Sequence, residues 1–521
     1  MRSISSRSLR ISALCLALLF LCSGAQASSD LGDTLDLGMI SVKTKYLNPL
    51  VSEEREFQSL TALMYEGLYS LDDNYRPRPC LAESCSQNGS KWTVIMRQDA
   101  AFSDGTPCTA YDVAATIEEI FRLAEEGQGQ YSQLKYIISS VKANDATSLT
   151  LTMNRSYYGS LFALTFPVLP QSQVNDMFPL GTGPYKADAF QAGDYFYLSP
   201  NPYWWQGVPS ISNINVHFNT TNRKLIEDYE LNLLDAAISR SASAGQYQTG
   251  LTNLNLRYRT RQLEVLLMNH RERSFPLNDI RVRQAISYAI DIDAVANAVY
   301  AGTAERVDTP LPYGTWMYND SITHEYNPDK ARQMLADAGW ADSDGDGVLD
   351  QIVDGKPRNL KLQFYVYEEQ DNTVRTLAAQ MISDMLAAVG IKAGDGNGNV
   401  TTMTYARAKE RLAAGNFDLI LCAFQMDVVP DPGFLLMSNN TGNFGAYNSS
   451  AMDNLFKDFR KAQDPEQYQS LLYQIQDQFA ADCPFLCLYY RCGALLTRKV
   501  FTTERDIREP EILRGIESVG K

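Results

Sequence analysis

The sequence predicts an α/β protein with two lobes, and three observations support this prediction. The chain has 521 residues, more than one hydrophobic core normally serves, so at least two lobes are expected. Strand-like apolar runs alternate with amphipathic helical segments along the chain. Neither an internal repeat nor a low-complexity linker is present, so we expect the chain to cross between lobes more than once. The apolar segments Leu263–Asn269 and Phe485–Tyr490 are the candidates for these crossings.

The stretch from Phe275 to Pro312 predicts two capped helices. Asp279 can accept the free amides of a first helical turn, because a short carboxylate suits that position. Asp291 or Asp293 can cap a second short helix, and Gly302 supplies a left-handed stop. The first helix carries an apolar face at helical spacing, formed by Val282, Ala285, Ile286, Ala289 and Ile290.

Similar local signals predict the other elements. Thr109 opens one helix, Asn327-Pro328 starts a second that ends at Gly339, and a longer helix ends at Gly390. Strands are predicted around Val366, over Phe417–Phe424 and over Phe485–Tyr490.

The N-terminus predicts an export signal. Three arginines precede the apolar run Ile11–Cys22, and Ala25-Gln26-Ala27 forms an A-x-A site. A run of about 12 apolar residues is too short for a stable membrane anchor. We therefore expect residues 1–27 to be a signal peptide that is cleaved after Ala27. No second long apolar run occurs in the sequence.

Composition and charge indicate a folded protein and disfavour one class of function, nucleic-acid binding. Apolar residues make up 45% of the chain and charged residues 21%, which is typical of a folded soluble protein. The formal net charge is −15, and loss of residues 1–27, with three Arg and no acid, leaves −18. Such a charge repels phosphate backbones and argues against nucleic-acid binding.

The cysteines indicate little metal chemistry. Seven of the nine cysteines lie beyond the predicted signal, and an odd number leaves at least one thiol unpaired in an exported chain. Cys80 and Cys85 are close enough in sequence to form a small disulfide loop. Three histidines are scattered and C-x-x-C spacing is lacking, so zinc is disfavoured. Cys422 and Cys487 are predicted to be buried structural thiols.

The acidic loop Asp342–Asp350 is a candidate calcium-binding loop. Oxygen ligands alternate along it and Gly347 stands where a calcium loop needs a glycine. Position twelve is Val353 instead of a bidentate Glu, and Asp354 is one residue late. A turn rich in Asp is the competing interpretation, and no metal is predicted as part of the binding site.

Enzyme motifs are missing from the sequence. There is no G-x-S-x-G elbow, no H-E-x-x-H pair and no G-x-x-x-x-G-K loop. A hydrolase would need catalytic residues that lie far apart in sequence. A binding function without a cofactor is therefore favoured over an enzyme.

Asp427 is the principal candidate for a binding residue. It follows the apolar strand Phe417–Phe424 and precedes Pro430-Asp431-Pro432. Because α/β proteins place ligands at the carboxyl ends of strands, this position favours ligand contact. Both Asp427 and Asp431 can instead be turn-forming residues.

Several segments together resemble the family 5 extracellular solute-binding proteins, the oligopeptide, dipeptide and nickel receptors of ABC importers. The stretch from Phe275 to Pro312 matches the family's second-lobe signature, F, a polar turn, VRxAIxYAID, a helix ending in G and a Pro-rich exit. The resemblance covers nearly the whole mature chain. Its other fragments are Tyr46-Leu47-Asn48-Pro49-Leu50, Tyr65-Glu66-Gly67-Leu68, Leu81-Ala82-Glu83-Ser84, Phe102-Ser103-Asp104-Gly105-Thr106-Pro107, Ala110-Tyr111-Asp112-Val113, Gly181-Thr182-Gly183-Pro184-Tyr185 and Asn201-Pro202-Tyr203-Trp204.

The resemblance implies a periplasmic-binding-protein-like fold of class II, also called cluster C, with an extra inserted domain. The implied boundaries are lobe I at 28–48, 183–265 and 489–521, an inserted domain at 49–182, and lobe II at 266–488. It also implies a location in the periplasm or on the outer face of the cytoplasmic membrane. Relatives are often lipoproteins, so lipidation at Cys22 is an alternative, although Leu19-Phe20-Leu21 before it is bulkier than such a site normally has.

The resemblance further implies a monomeric receptor that binds short peptides between its lobes and delivers them to a permease with its ATPase subunits. Asp427 would pair with the peptide α-ammonium, and Asp431 is the alternative because this loop is a residue longer than some family patterns. A nickel chelate or another small solute is the alternative ligand. Residues expected near the cleft are Lys43, Thr44, Tyr46, Asn48, Trp316, Tyr318 and Phe424, with Arg375 and Arg407 as possible partners of a carboxylate.

Overall fold

The chain has a mixed α/β structure in this computed structural model, which describes residues 34–40, 47–272, 275–300, 302–353, 355–369, 373–503 and 505–519. The strands are β1 (Thr34–Ile40), β2 (Tyr69–Leu71), β3 (Pro77–Pro79), β4 (Ala82–Asn88), β5 (Lys91–Met96), β6 (Ile138–Ala143), β7 (Ser148–Met153), β8 (Tyr185–Gln191), β9 (Tyr195–Pro200), β10 (Asn213–Asn219), β11 (Ala236–Ser239), β12 (Asn253–Met268), β13 (Ala304–Arg306), β14 (Asp350–Val353), β15 (Lys356–Asn359), β16 (Lys361–Leu362), β17 (Phe364–Tyr367), β18 (Lys392–Ala393), β19 (Thr401–Met403), β20 (Leu419–Gln425) and β21 (Phe485–Arg498). The α-helices are α1 (Arg55–Met64), α2 (Ala110–Glu125), α3 (Asn222–Glu230), α4 (Ala242–Gly245), α5 (Ile280–Ala289), α6 (Ile292–Val295), α7 (Pro328–Asp337), α8 (Val374–Ala387), α9 (Tyr405–Ala414), α10 (Gly433–Leu436), α11 (Ser450–Phe459) and α12 (Pro465–Asp482).

Two long antiparallel strands, β12 and β21, join the two lobes. They pair from Asn253 opposite Arg498 to Leu267 opposite Phe485, with an irregularity between Arg259 and Leu263. The predicted crossing segments lie inside these strands, which extend further than the apolar runs suggested. The first-lobe half of β12 is polar, so apolarity alone marked only its second-lobe half, whereas β21 continues into the first lobe as a buried and mostly apolar segment.

These strands sit at the centre of an 11-stranded sheet with the order β19-β17-β20-β12-β21-β11-β1-β10-β9-β8 and β13 on β21. Strands β8 to β11 and β1 form the first-lobe half, while β17, β19 and β20 form the second-lobe half. Parallel pairing joins β1 to β10 and β11, and joins β17 to β19 and β20. This topology confirms the two-lobed α/β prediction.

The region between the first-lobe strands forms a separate sheet with the order β4-β5-β7-β6, against which α2 packs. Its buried side chains, such as Trp92 and Ile117, belong to the same hydrophobic core as Leu37 and Val216 of the first lobe. In the second lobe, one core lies under α5 and α8 and another under α11 and α12. The predicted domain boundaries remain predictions, because no gap in packing separates the inserted region from the first lobe.

Local capping explains where the helices begin and end. The Asp279 carboxylate accepts the N–H of Arg281 at 2.9 Å, and Asp291 accepts that of Ala294 at 2.8 Å. The second helix differs from prediction, because after α6 the chain continues as a π-helix over Ala296–Tyr300. Gly302 has φ +92°, which confirms its predicted left-handed conformation.

The cysteines correct one prediction. Cys80 and Cys85 are free thiols, as are the other five described cysteines. Cys85 lies in β4, so the extended segment separates the two residues by on the order of 15 Å, too far for a disulfide. Cys422 and Cys487 are buried, as predicted.

Membrane-related predictions concern mainly the N-terminus. Among the described residues, no helix has the length and apolarity needed to cross a bilayer. The predicted signal at residues 1–27 and the alternative at Cys22 lie outside the described residues.

Aromatic side chains of the inserted region pack against those of the second lobe. Tyr158 of the inserted region contacts Trp316 of the second lobe edge to face, with ring centroids 6.1 Å apart. Phe162 stacks on Tyr468 at 6.0 Å, and the N–H of Tyr158 donates to the Ala462 carbonyl at 2.7 Å. The two lobes are therefore in contact through these side chains as well as through β12 and β21.

Candidate functional site

A cavity of about 350 Å³ lies between the lobes. Its size falls in the range of small-molecule and cofactor pockets. The first-lobe side supplies residues of α1 and of the loop after it, while the second lobe supplies the loop after β20. Representative lining residues are Gln58, Tyr65, Glu66, Tyr131, Phe162, Arg259, Arg261, Met317, Asp427, Asp431, Tyr490, Arg508 and Glu511.

Asp427 lies on the cavity wall, two residues after the end of β20. Its carboxylate accepts the N–H of Val428 at 2.6 Å. Desolvation between the lobes raises the pKa of Asp427, although the nearby Arg261 and the Val428 and Val429 amides favour the ionised form. The side chain is exposed toward the cavity and has no ion-pair partner within 4.0 Å in the described part of the chain.

Asp431 also lines the cavity but is already paired. Arg460 donates to both of its oxygens, from Nε to Oδ2 at 2.7 Å and from Nη2 to Oδ1 at 3.1 Å. The N–H of Gly433 donates to Oδ1 at 2.9 Å, and Arg155 lies 4.0 Å away. Its side chain is only 8% exposed, so Asp431 serves to hold the loop that carries Asp427.

Arg261 is a cavity residue that the sequence reasoning missed. It lies in β12, and its carbonyl accepts the N–H of Met426, the residue before Asp427 in the loop after β20. The available signal was a charged residue at the edge of the apolar run Leu263–Asn269. That signal alone does not distinguish a cavity residue from a surface residue.

Glu66 contributes a third acidic group to the wall. It accepts indole N–H groups of Trp204 and Trp205, each at 3.1 Å. Burial raises the pKa of Glu66, and the indole hydrogen bonds partly oppose that shift. Glu66 stood in one of the family-like fragments, but nothing in that fragment indicated a place on the cavity wall.

Other predicted residues are placed elsewhere. Asn48 is buried, where its amide donates to the carbonyls of Val174 at 2.9 Å and Asp176 at 3.0 Å and its oxygen accepts the Leu50 N–H. It therefore closes a turn and is not among the cavity-lining residues. Lys43, Thr44 and Tyr46 lie outside the described residues.

The predicted aromatic walls pack against other aromatic residues. Trp316 donates its indole N–H to the Tyr75 carbonyl at 3.3 Å and stacks under the Arg76 guanidinium at 4.3 Å. Phe424 stacks on Phe444 with ring centroids 6.3 Å apart. Neither lines the cavity, although Met317 beside Trp316 does. Tyr318 is buried and accepts the N–H of Asp308.

The two arginines suggested as carboxylate partners also lie away from the cavity. Arg375 is fully buried and ion-paired with Glu264 at 2.7 Å. Arg407 is exposed in the first turn of α9. Neither is placed to meet a ligand in this cavity.

The geometry gives little support to a metal site in the cavity. Asp342, Asp344 and Asp350 bring carboxylate oxygens within 4.8 Å of one another, but Asp342 accepts the amides of Gly345 and Gly347. This pattern agrees with the turn interpretation, and the loop does not line the cavity. The three histidines also lie outside it, at His217, His270 and His324.

Comparisons with known proteins agree with this architecture. The oligopeptide-binding protein AppA of Bacillus subtilis is 26% identical over 532 aligned residues, which cover 92% of each chain. The structure of that protein in complex with a nonapeptide has a TM-score of 0.66 at 22% identity, covering 93% of this chain and 98% of the other. A nickel ABC transporter structure from Bacillus halodurans has a TM-score of 0.77 at 21% identity, covering 92% and 98%.

These solved structures show that the fold is shared. The family model of the bacterial extracellular solute-binding proteins, family 5 Middle, matches residues 76–446. That match spans more than half of the chain and includes the second-lobe segment on which the resemblance was based. The protein therefore belongs to the bacterial extracellular solute-binding proteins of family 5.

Proposed function

We propose that the protein is the receptor of an ABC importer and binds short peptides between its lobes, with their free α-ammonium at Asp427. The observation that carries this proposal is a carboxylate on the wall of the cavity between the lobes, with no ion-pair partner within 4.0 Å among the described residues. An ammonium group would supply the missing counter-charge. The name and the nonapeptide complex of AppA support a peptide as the ligand.

The test is calorimetric titration with pooled di-, tri- and pentapeptides and with the same pools N-acetylated. Acetylation removes the ammonium, so it should abolish binding to the unmodified protein. Asp427→Asn should weaken binding of the free-amine pools by about 2–5 kcal/mol, the usual cost of truncating one partner of a buried charge pair. Asp458→Asn, an exposed acid outside the cavity, is the matched control and should bind normally.

Binding should also depend on pH. Only the ionised carboxylate of Asp427 can pair with an ammonium, and the pKa of Asp427 is raised in the free protein. Affinity should therefore fall as the pH is lowered through that pKa, and Asp427→Asn should remove this dependence. Equal binding of acetylated and free peptides would contradict the assignment of Asp427.

A nickel chelate is the second candidate ligand, favoured by the structural similarity to the Bacillus halodurans protein. Since no histidine lines the cavity, the metal would have to bring its own donor groups. Titration with nickel–histidine, alongside sugars and the peptide pools, separates these ligands. Turnover of any screened compound would support an enzyme instead.

We also propose that the protein is exported, cleaved after Ala27, monomeric, and recognised by its permease and the attached ATPase subunits in the closed form. The basic and apolar N-terminal pattern supports export. Mass spectrometry of the native N-terminus distinguishes cleavage after Ala27 from lipidation at Cys22. Light scattering after size exclusion measures the oligomeric state.

A further inference from the structure

Tyr468 of α12 connects the contact between the lobes with the loop that carries Asp427. This loop, residues 426–432, joins β20 to α10 and lines the cavity, and we call it the binding loop. The side chain of Tyr468 is fully buried and is not among the cavity-lining residues. Its hydroxyl donates to the carbonyl of Pro430 at 3.2 Å. Tyr468 therefore contacts the binding loop without lining the cavity itself.

Most of the aromatic rings around Tyr468 belong to the inserted region. Its aromatic neighbours among the described residues are Tyr157, Tyr158 and Phe162 of the inserted region and Trp316 and Phe459 of the second lobe. The ring centroid of Tyr158 is 5.3 Å from that of Tyr468, and Phe162 stacks on Tyr468 at 6.0 Å. The packing of the Tyr468 ring therefore depends on contact between the lobes.

Backbone carbonyls hold the inserted region beside the start of α12. The N–H of Tyr158 donates to the Ala462 carbonyl at 2.7 Å. The side-chain amide of Gln463 donates to the Ser156 carbonyl at 3.2 Å. Ala462 and Gln463 directly precede Asp464, the N-cap residue of α12. Directional hydrogen bonds, as well as packing, therefore place the inserted-region rings against Tyr468.

The exclusion of water makes the Tyr468 hydroxyl depend on Pro430. The Pro430 carbonyl is the only hydrogen-bond partner of this hydroxyl in the part of the chain that the structure describes. A buried hydroxyl without a partner is costly, so the bond to Pro430 is favoured while the rings exclude water. Separation of the inserted region would remove three of the five rings, and water could then replace the carbonyl as a partner.

The binding loop has a second attachment at the next residue, Asp431. Arg460 holds the Asp431 carboxylate at 2.7 Å, and both residues belong to the second lobe. Arg155 of the inserted region lies 4.0 Å from the same carboxylate. The short ion pair thus fixes the loop within its own lobe, while the Tyr468 hydroxyl links the loop to the rings of the inserted region.

We propose that Tyr468 is a positioning residue, which sets the binding loop for ligand contact at Asp427 when the inserted region packs against the second lobe. This inference rests on the proposed function. Contact between the lobes and the position of the loop are then one coupled change, carried by a continuous chain of packed rings and one hydrogen bond. Peptide affinity therefore depends on Tyr158 and Tyr468, which do not line the cavity.

The first experiment is calorimetric titration of Tyr468→Phe with free-amine di- and tripeptide pools. The substitution keeps the ring and removes the hydroxyl that bonds Pro430. Binding should weaken by about tenfold, the effect of one lost hydrogen bond. The radius of gyration from small-angle scattering should stay that of the unmodified protein, because the ring contacts between the lobes remain.

A double-mutant cycle with Tyr158→Leu tests the coupling to the inserted region. Tyr158→Leu removes one ring from Tyr468 and should weaken peptide binding by about threefold or more. Tyr468→Phe should then cost less affinity in the Tyr158→Leu background than in the unmodified protein, because the hydroxyl no longer depends on Pro430. A hydroxyl that only stabilised its own helix would cost the same in both backgrounds.

Tyr229→Phe is the matched control. Tyr229 is buried in the first lobe outside the cavity, and its hydroxyl has no hydrogen-bond partner among the described residues. This variant should bind the peptide pools like the unmodified protein. Thermal midpoints show that each variant is folded, and Tyr158→Leu alone keeps the test decisive if Tyr468→Phe does not fold.

The outcomes separate this inference from the proposed function. If no pool binds to the unmodified protein, the peptide function is wrong and this inference is wrong with it. If the pools bind and neither Tyr468→Phe nor Tyr158→Leu changes their affinity, only the role of Tyr468 is overturned. Equal costs of Tyr468→Phe in the two backgrounds would also overturn it, because the loop would then be independent of the inserted region.

Discussion

Two groups of charged residues on or beside β12 behave in opposite ways. The first, which we call the hinge cluster, consists of Glu264, Arg375, Arg491 and Glu369. The second, which we call the cavity pair, consists of Arg261 and Asp427. Only three positions along the strand separate Arg261 from Glu264, yet one region satisfies its charges internally and the other leaves them unpaired.

The hinge cluster is closed to ligands. Arg375 donates to Glu264 from Nε at 3.0 Å and from Nη2 at 2.7 Å, and Arg491 lies 2.7 Å from the same carboxylate. Both arginines also reach Glu369 at 2.9 Å. Burial alone would raise the pKa of Glu264, but Arg491 and Arg375 hold it below its usual value. Two carboxylates and two guanidiniums thus neutralise each other.

The cavity pair shows the reverse pattern. Desolvation beside the cavity raises the pKa of Asp427, and the charge of Arg261 opposes that shift only in part. We propose that charge pairing, more than burial, distinguishes structural from ligand-binding groups in this protein. Four substitutions test this distinction.

The largest effect on stability is expected for Glu264→Gln. It leaves Arg375 and Arg491 buried with one carboxylate between them, and breaking a buried pair in this way typically costs about 3–5 kcal/mol. The free energy of unfolding from urea denaturation at pH 7 measures the loss. Glu410→Gln, the same change on the exposed face of α9, should have no measurable effect.

The same variant tests the pH dependence. Because the folded-state pKa of Glu264 is lowered, its stabilisation is present above the unfolded-state pKa and disappears as the pH falls through the folded-state value. The stability of Glu264→Gln should therefore fall less on acidification than the stability of the unmodified protein. An unchanged decline would contradict the role assigned to Glu264.

Asp431→Asn should have the next largest effect. It removes the charge that Arg460 contacts twice and leaves that guanidinium, 20% exposed, without its partner. We expect a loss of about 1–3 kcal/mol in the free energy of unfolding, while peptides still pair with Asp427. If affinity for peptides disappears and stability does not change, Asp431 and not Asp427 is the ammonium site.

Asp427→Asn should not lower the stability of the free protein at pH 7. The folded-state pKa is raised, so the contribution of Asp427 to stability is fully present below the ordinary pKa of an aspartate and is lost as the pH rises through the raised value. Asp427→Asn removes the titrating group. The stability of the variant relative to the unmodified protein should therefore increase from acidic to neutral pH. Urea denaturation of both proteins across that range measures the difference, and the opposite trend would show that Asp427 is paired.

The smallest effect is expected for an exposed pair. Arg223 donates to Glu227 at 2.8 Å in α3, and the Arg223 side chain is 89% exposed. Solvent screens such pairs, so Arg223→Gln should leave the melting temperature unchanged within error. A clear decrease in the melting temperature would show that an exposed ion pair also stabilises this protein.

Local signals in the sequence were sufficient for much of the fold. Asp279 and Asn327 cap helices as predicted, because a cap depends only on residues within one turn. The crossing strands were predicted too short, since the first-lobe half of β12, with Asn253, Asn255 and Arg257, has no apolar run. Asn48 and Trp316 were assigned to the cleft by resemblance, but the structure uses them in a turn and in aromatic packing.

By itself, the sequence determined the family, the two-lobed α/β architecture and the strand-end position of Asp427, because strand periodicity and a strand end are local properties. Only the tertiary structure decided which charges are free. Asp431 meets Arg460 from 29 residues away and Glu264 meets Arg375 from 111 residues away, whereas the Arg261 guanidinium forms no ion pair within 4.0 Å among the described residues. Pairing across such separations depends on how the strands and helices pack, and that packing distinguishes the closed hinge cluster from the open cavity pair.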